Sequence, residues 1–241
     1  MFAIFTKELS SFFGSLTAYI VITVFLVAVG LIVWVFPDSN VLDYGYADLY
    51  VFFNLTPYVL LFLVPAITMR AFAEESKNGT LELLLTKPLS SLQLILGKLF
   101  ACWALVTITL LPTFIYYYSI YQLGNPPGNV DSAAVIGSYI GLFLLSGALT
   151  AMGVWISALN DNQIVAFVLS VFIGFIWYIG FSAVSDLLVT GFVSNLTGWL
   201  ALDRQYQSLG KGLIDSRNVI YLISLIIFFV VLTKVRLHLI R

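Results

Sequence analysis

Few residues in this 241-residue chain can do covalent or metal chemistry. There is one cysteine, Cys102, and one histidine, His238, so an internal disulfide and a Cys/His metal set are both excluded. Cys102 has no basic partner in view to activate it, and no histidine lies within an apolar run, which argues against an intramembrane protease. Asp186 is the only candidate for the midplane carboxylate of an ion-coupled transporter. It falls just past the end of an apolar run, a position that suits the membrane interface better. The stretches "LGKGLIDS" and "LGKLF" carry Gly-Lys without the earlier glycine or the following hydroxyl of a GxxxxGK[ST] loop, so the chain lacks that cradle for ATP. A net charge of -1 without a basic patch leaves nothing for nucleic acid to bind. Polar chemistry concentrates instead in "EESKNGTLELLLTKPLSSLQLILGK", Glu74 to Lys98. Its acids, leucines, Gly and Pro form no catalytic set.

The elements that must position this segment are membrane helices. Hydrophobic residues make up 61% of the chain and charged residues 10%, against roughly 25% charged in a soluble domain. The mean hydropathy is +1.02. A crossing helix needs about 20 mainly apolar residues. Leu16 to Phe36, Leu49 to Met69, Leu99 to Tyr118, Ala133 to Leu159, Ile164 to Val184 and Val219 to Val235 predict six spans. The first run lacks a small-x-small cleavage pattern and is too long for a signal-peptide core, so it is expected to remain. Leu187 to Leu202 is apolar but broken by Gly191, Ser194, Asn195, Thr197 and Gly198, and reads as a re-entrant or interfacial hairpin on the outer side. With six spans, Lys7, Arg70, Lys77, Lys87, Lys98, Lys234, Arg236 and Arg241 share one side, and the positive-inside rule makes both ends cytoplasmic.

Between the second and third spans, Arg70 and Glu74 stand four apart and are expected to pair on a helical extension that Asn78-Gly79 ends. Thr80 is expected to cap a new start. Leu81, Leu84 and Leu85 then share one face of a short helix, with Glu82 on another and Pro88 closing it. Ser90 with Gln93 reads as a capping box opening the third span. So short a helix is not stable alone. Its leucines lie either against the membrane surface or neighbouring helices, or in the groove of a cytoplasmic partner. Two further signals concern packing. Gly137 and Gly141 form a GxxxG that admits another helix backbone, unless glycine is there only because it is common in membrane helices. Pro57, Pro65 and Pro112 are expected to kink the second and third spans.

"MRAFAEESKNGTLELLLTKPLSSLQLILGK", Met69 to Lys98, resembles the [RS]-x-F-[AS]-E-E-x-x-x-G-T-L-E-x-L-L-[TS]-x-P signature of type-2 ABC transporter permeases. Arg70, Phe72, Glu74, Glu75, Gly79, Thr80, Leu81, Glu82, Leu84, Leu85, Thr86 and Pro88 are all in place. "YQLGNPPGNVDSAAVIGSYIGL", "LNDNQIVAF" and "GLIDSRNVIYLISL" are similar to the permease subunit of the gliding-motility-associated ABC transporter of Bacteroidetes. The resemblance implies an all-α membrane protein of six transmembrane helices in the bacterial inner membrane. It implies a cytoplasmic coupling helix between helices 2 and 3, from Glu74 through Lys87 and Pro88, that meets an ABC ATP-binding subunit carrying ATP and Mg. It also implies a short N-terminal interfacial helix, which Phe5, Leu9, Phe12 and Phe13 fit, with Lys7 and Glu8 on its polar side. A second permease subunit, identical or not, completes the pair, and this chain binds no cofactor itself. Asp161 and Asn162, in the other short cytoplasmic loop, are a second contact with the motor or an ordinary polar turn. The function expected is that of the membrane subunit of an ATP-driven exporter. The alternative is a non-transporting anchor that passes motion to a motility or secretion assembly.

Overall fold

The computed structural model describes residues 1–37, 40–42, 45, 47–86, 90–188, 191–212 and 215–240, and among these the regular elements are all helices. The chain opens with α1 (Phe2–Gly14), breaks at Ser15, and continues as α2 (Leu16–Trp34). Ser15 is extended, with φ -112° and ψ 160°, and its hydroxyl accepts the Thr17 N–H, so one residue ends α1 and caps α2. Then come α3 (Tyr50–Thr68), α4 (Ala73–Lys77), α5 (Thr80–Leu85) and α6 (Ser91–Leu110). A 3₁₀ turn over Leu111–Thr113 joins α6 to α7 (Phe114–Leu123). Next are α8 (Ser132–Leu159) and α9 (Gln163–Phe175), and a π-helical turn at Ile176–Gly180 leads into α10 (Phe181–Leu187). The chain ends with α11 (Phe192–Leu200), α12 (Leu202–Leu209) and α13 (Ser216–Ile240).

Six helical runs are long and apolar enough to cross a membrane: Leu16–Trp34, Tyr50–Lys77, Ser91–Leu123, Ser132–Leu159, Gln163–Leu187 and Ser216–Leu239. The second and third outrun the apolar stretches that signal them, because helix geometry continues past the hydrocarbon into capped, polar turns. Pro112 falls in the 3₁₀ turn after α6, while α3 runs on through Pro57 and Pro65. Of the apolar 187–202 segment, Leu187 ends α10, Phe192–Leu200 form α11 and Leu202 opens α12, residues 189 and 190 lying outside the described residues; the nine-residue α11 is too short to span.

The centre of the bundle is α8. Of its most apolar window, 83% is buried inside the chain, against 28% for 16–34 and 22% for 163–187. It packs on α3, α6, α9, α12 and α13, and its small residues let them approach. A Cβ on Gly137 would collide with the Leu209 carbonyl oxygen at the end of α12, and one on Gly141 would lie 3.0 Å from the Tyr206 ring. The backbone that Gly137 admits and the side chains that Gly141 admits therefore belong to a short helix, not to another span. Outer spans keep narrow seams: α2 buries Val21, Phe25, Val29 and Val33, four residues apart, and turns Tyr19, Ile20, Val24 and Val27 outward, as lipid allows.

The opposite end of α8 meets α4 and α9. The molecule thus has two differently built ends, one gathering α1, α4, α5 and the 160–162 turn, the other gathering α11, α12 and the start of α8.

Candidate functional site

The segment between the second and third spans is held by long-range polar contacts. Between α3 and α4 the chain turns at Met69–Phe72, and Arg70 sits in that turn. The four-residue spacing to Glu74 is therefore not helical, and the expected Arg70–Glu74 pair is replaced: Arg70 Nη1 donates to Thr17 Oγ1 of α2 at 3.0 Å. No side chain in α4 caps its start. The hydroxyl of Ser157, near the end of α8, takes that role: it accepts the N–H groups of Phe72 and Ala73 at 3.0 and 3.1 Å and donates to the Met69 carbonyl at 3.0 Å. One buried hydroxyl thus satisfies three backbone groups that the turn leaves open.

Gly79 separates α4 from α5 at φ +67°, a left-handed conformation that glycine adopts without steric cost. Thr80 does not cap α5; its hydroxyl turns back to the Glu75 carbonyl at 3.3 Å. The capping box at Ser90 and Gln93 is present, with bonds of 3.2 and 3.3 Å opening α6.

One buried cation joins three elements. Lys98 of α6 places Nζ 2.7 Å from Glu75 of α4 and 3.0 Å from Glu8 of α1, and 5.3 Å from the centroid of the Phe72 ring. Its side chain is 3% exposed. A cation so deeply removed from water requires close counter-charges, and here they come from two other helices. Amphipathic spacing places Glu8 on the polar side of α1 beside Lys7. In the structure Lys7 stays in solvent, while Glu8 turns inward to Lys98.

The leucine face divides. Leu81 is buried in the bundle core and holds α5 on the chain, whereas Leu84 is half-buried and Glu82 and Thr86 are exposed. Leu85 belongs to α5 by its backbone; Lys87 and Pro88 lie outside the described residues. Leu84 faces a cleft of about 890 Å³ whose walls include Lys7, Arg70, Glu74 and Thr86. Beside it, the Ser76 hydroxyl donates to the Asp161 carboxylate, and Asn162 caps α9 by accepting the Ile164 N–H at 2.9 Å. Among the described residues no group of His, Cys, Asp or Glu is arranged to hold a metal ion.

At the other end, Asp186 is exposed and pairs with Arg204 of α12. The Tyr206 hydroxyl donates to the Phe53 carbonyl at 2.8 Å. That carbonyl lacks its helical partner because residue 57 is proline and has no N–H. Burial pushes the Tyr206 phenol well above its usual range, so it remains a donor. Sequence spacing could not find Ser157, Glu8 or Tyr206, since each acts 84 or more residues away from its partners named here.

No curated protein matches the chain. A family model described as ABC-2 family transporter protein matches residues 35–234, from the loop after α2 into α13. That stretch takes in the segment between the second and third spans, the central α8 and both short helices at the far end. The chain therefore belongs to the ABC-2 transporter family, as its multi-pass membrane permease component and a non-catalytic part of the transporter.

Proposed function

We propose that residues 74–88 are the surface through which a separate ATP-binding subunit, carrying ATP and Mg, moves this permease. In this reading Glu82, Leu84, Leu85, Thr86, Lys87 and Pro88 meet the motor, Asp161 and Asn162 flank it, and Glu75, Gly79, Thr80 and Leu81 fix the shape of the segment. The observation that carries the reading is the Lys98 junction: any displacement of α5 that moves α4 also loads α6 and α1 through Glu75 and Glu8. Ser157 passes the same displacement to α8. A surface tied this firmly to the central helix and to the third span is suited to transmitting work.

The test uses Leu84→Asp, which alters a half-buried side chain without touching Lys98. Co-purification of the ATP-binding subunit in mild detergent is expected to fall at least ten-fold while membrane insertion stays normal. Undiminished co-purification refutes the docking surface.

The wider reading is a pair of permease subunits in a bacterial inner membrane, with both ends cytoplasmic, acting as an exporter associated with gliding motility. The gathering of Lys7, Arg70, Lys77 and Lys98 toward the coupling end supports the orientation. The motility association rests on the three quoted sequence stretches. Orientation is checked with Cys102→Ala and single cysteines at Glu82 or Ser208: an impermeant thiol reagent on intact cells stripped of outer wall is expected to label position 208 only. Labelling at 82 reverses the assignment.

A further inference from the structure

At the far end of the bundle, the first turns of α3 and α8 and the end of α12 enclose a cleft of about 460 Å³, a size that holds a small molecule. Along α8 its wall reads Asp131, Ala134, Val135 and Ser138, positions that share one helix face. The seven residues from Asp131 to Ser138 rise roughly 10 Å, so this wall is polar at both ends and apolar between. Phe53 of α3 and Tyr206 of α12 add aromatic rings to the lining.

Ser138 is the deep end. It is 5% exposed, yet its hydroxyl makes no hydrogen bond among the described residues, and it is not closed off from its surroundings as the Ser170 hydroxyl is. Ser146, on the same helix, donates to the Phe143 carbonyl at 2.8 Å; Ser138 does not turn back in this way. It faces Gly210 at the end of α12, where an added Cβ would lie 3.0 Å from the Ser138 oxygen. Gly210 has φ -71° and ψ -6°, open to any residue, so its backbone does not call for glycine. What the missing side chain does is leave the hydroxyl open to the cleft.

The shallow end is charged. Asp48, Asp131 and Lys211 line it and are exposed. Each carboxylate uses one oxygen at a helix start: Asp48 accepts the Tyr50 N–H at 2.8 Å, and Asp131 accepts those of Ala133 and Ala134 at 3.1 Å. Neither carboxylate, nor Lys211, makes an ion pair among the described residues. Two carboxylates against one lysine favour a ligand whose charged end is positive.

We propose that this cleft binds an elongated organic ammonium, with its N–H groups on Asp48 and Asp131, a flat apolar body along Val135 and the Tyr206 ring, and a polar tip bonded to Ser138. Charge-assisted hydrogen bonds hold the cation, and aromatic walls suit a flat body. Ser138 selects among such amines, because a ligand without a polar tip leaves its hydroxyl unpaired.

The test titrates the purified full chain, in neutral detergent, with tyramine, phenethylamine and 3-(4-hydroxyphenyl)propionate, using calorimetry. Phenethylamine lacks the polar tip, and the propionate carries a carboxylate in place of the ammonium. One saturable site per chain is expected for tyramine, with phenethylamine about five-fold weaker for want of one hydrogen bond and no binding of the propionate. Asp48→Asn and Asp131→Asn keep a capping oxygen, and each is expected to weaken tyramine at least about ten-fold. Ser138→Ala is expected to bring tyramine down to the level of phenethylamine and to leave phenethylamine unchanged, a pattern that a merely structural serine does not produce. Four results each overturn the site: no saturable binding of tyramine, propionate bound as tightly as tyramine, affinities indifferent to both aspartate substitutions, or a Ser138→Ala variant that weakens both amines equally or neither.

Discussion

The end of the bundle that gathers α1, α4 and α5 and the far end that gathers α11 and α12 are joined by different kinds of contact. At the first end a lysine between two carboxylates and a serine hydroxyl on three backbone groups connect α1, α4, α6 and α8. At the far end α12 lies directly on Gly137 and Gly141 of α8, with Tyr206 reaching into α3. Ionic and hydroxyl contacts tolerate small changes of angle while staying made. A carbonyl seated on a glycine has no such latitude, because the repulsion is steep. The first construction can stay made while the helices it joins change angle; the second fixes one helix on another.

The largest effect that would break this contrast is at Lys98. Lys98→Met leaves two carboxylates in a poorly solvated site, and about 3–5 kcal/mol of stability is expected to be lost, as for other buried pairs deprived of one partner. Adding Glu8→Gln and Glu75→Gln removes the orphaned charges and should restore much of that loss. Denaturation titrations in a fixed detergent measure both. A single-variant loss under 1 kcal/mol would mean that water already screens the junction. At the far end, Gly137→Ala pushes a methyl group against the Leu209 carbonyl, and a cost of about 1–3 kcal/mol is expected from overpacking. An unchanged midpoint would show that α12 is free to move away.

The smallest and sharpest effect concerns Tyr206. Tyr206→Phe leaves the Phe53 carbonyl without a donor, at about 1 kcal/mol, the low end for a buried unsatisfied group because carbonyls tolerate this better than N–H groups. Pro57→Ala supplies the missing helical N–H, so the same tyrosine substitution in that background should cost much less. Equal costs in the two backgrounds would separate the hydroxyl from the proline defect.

The six spans were readable from sequence because lipid imposes one length on every crossing, and each apolar run meets it. The Gly79 stop and the Ser90–Gln93 box were readable because their partners lie within a few residues. Thr80 misled: next to a glycine that already serves as the cap position, its hydroxyl finds the Glu75 carbonyl instead. Arg70 misled because the helix breaks under it. Glu8 looked like surface, since amphipathic spacing describes one helix at a time and cannot see a lysine 90 residues away. Ser157 carried no signal at all; one serine in a run of small residues is indistinguishable from its neighbours until α4 is placed against it.

The repair of α3 by Tyr206 also sets an order of events during synthesis. The Phe53 carbonyl must wait for a residue made 153 positions later. The Glu8–Lys98–Glu75 junction, in contrast, has all its parts once α6 has left the ribosome. Chains grow at about 5–20 residues per second, so roughly 5–20 s separate the emergence of Lys98 from that of Tyr206. Throughout that interval α3 sits in the bilayer with an unfinished hydrogen-bond ladder near one end, and water or the insertion machinery must cover it. A newborn chain therefore holds every part of the Lys98 junction before any of α12, and truncation anywhere before α12 leaves that junction complete and the Phe53 carbonyl without its donor.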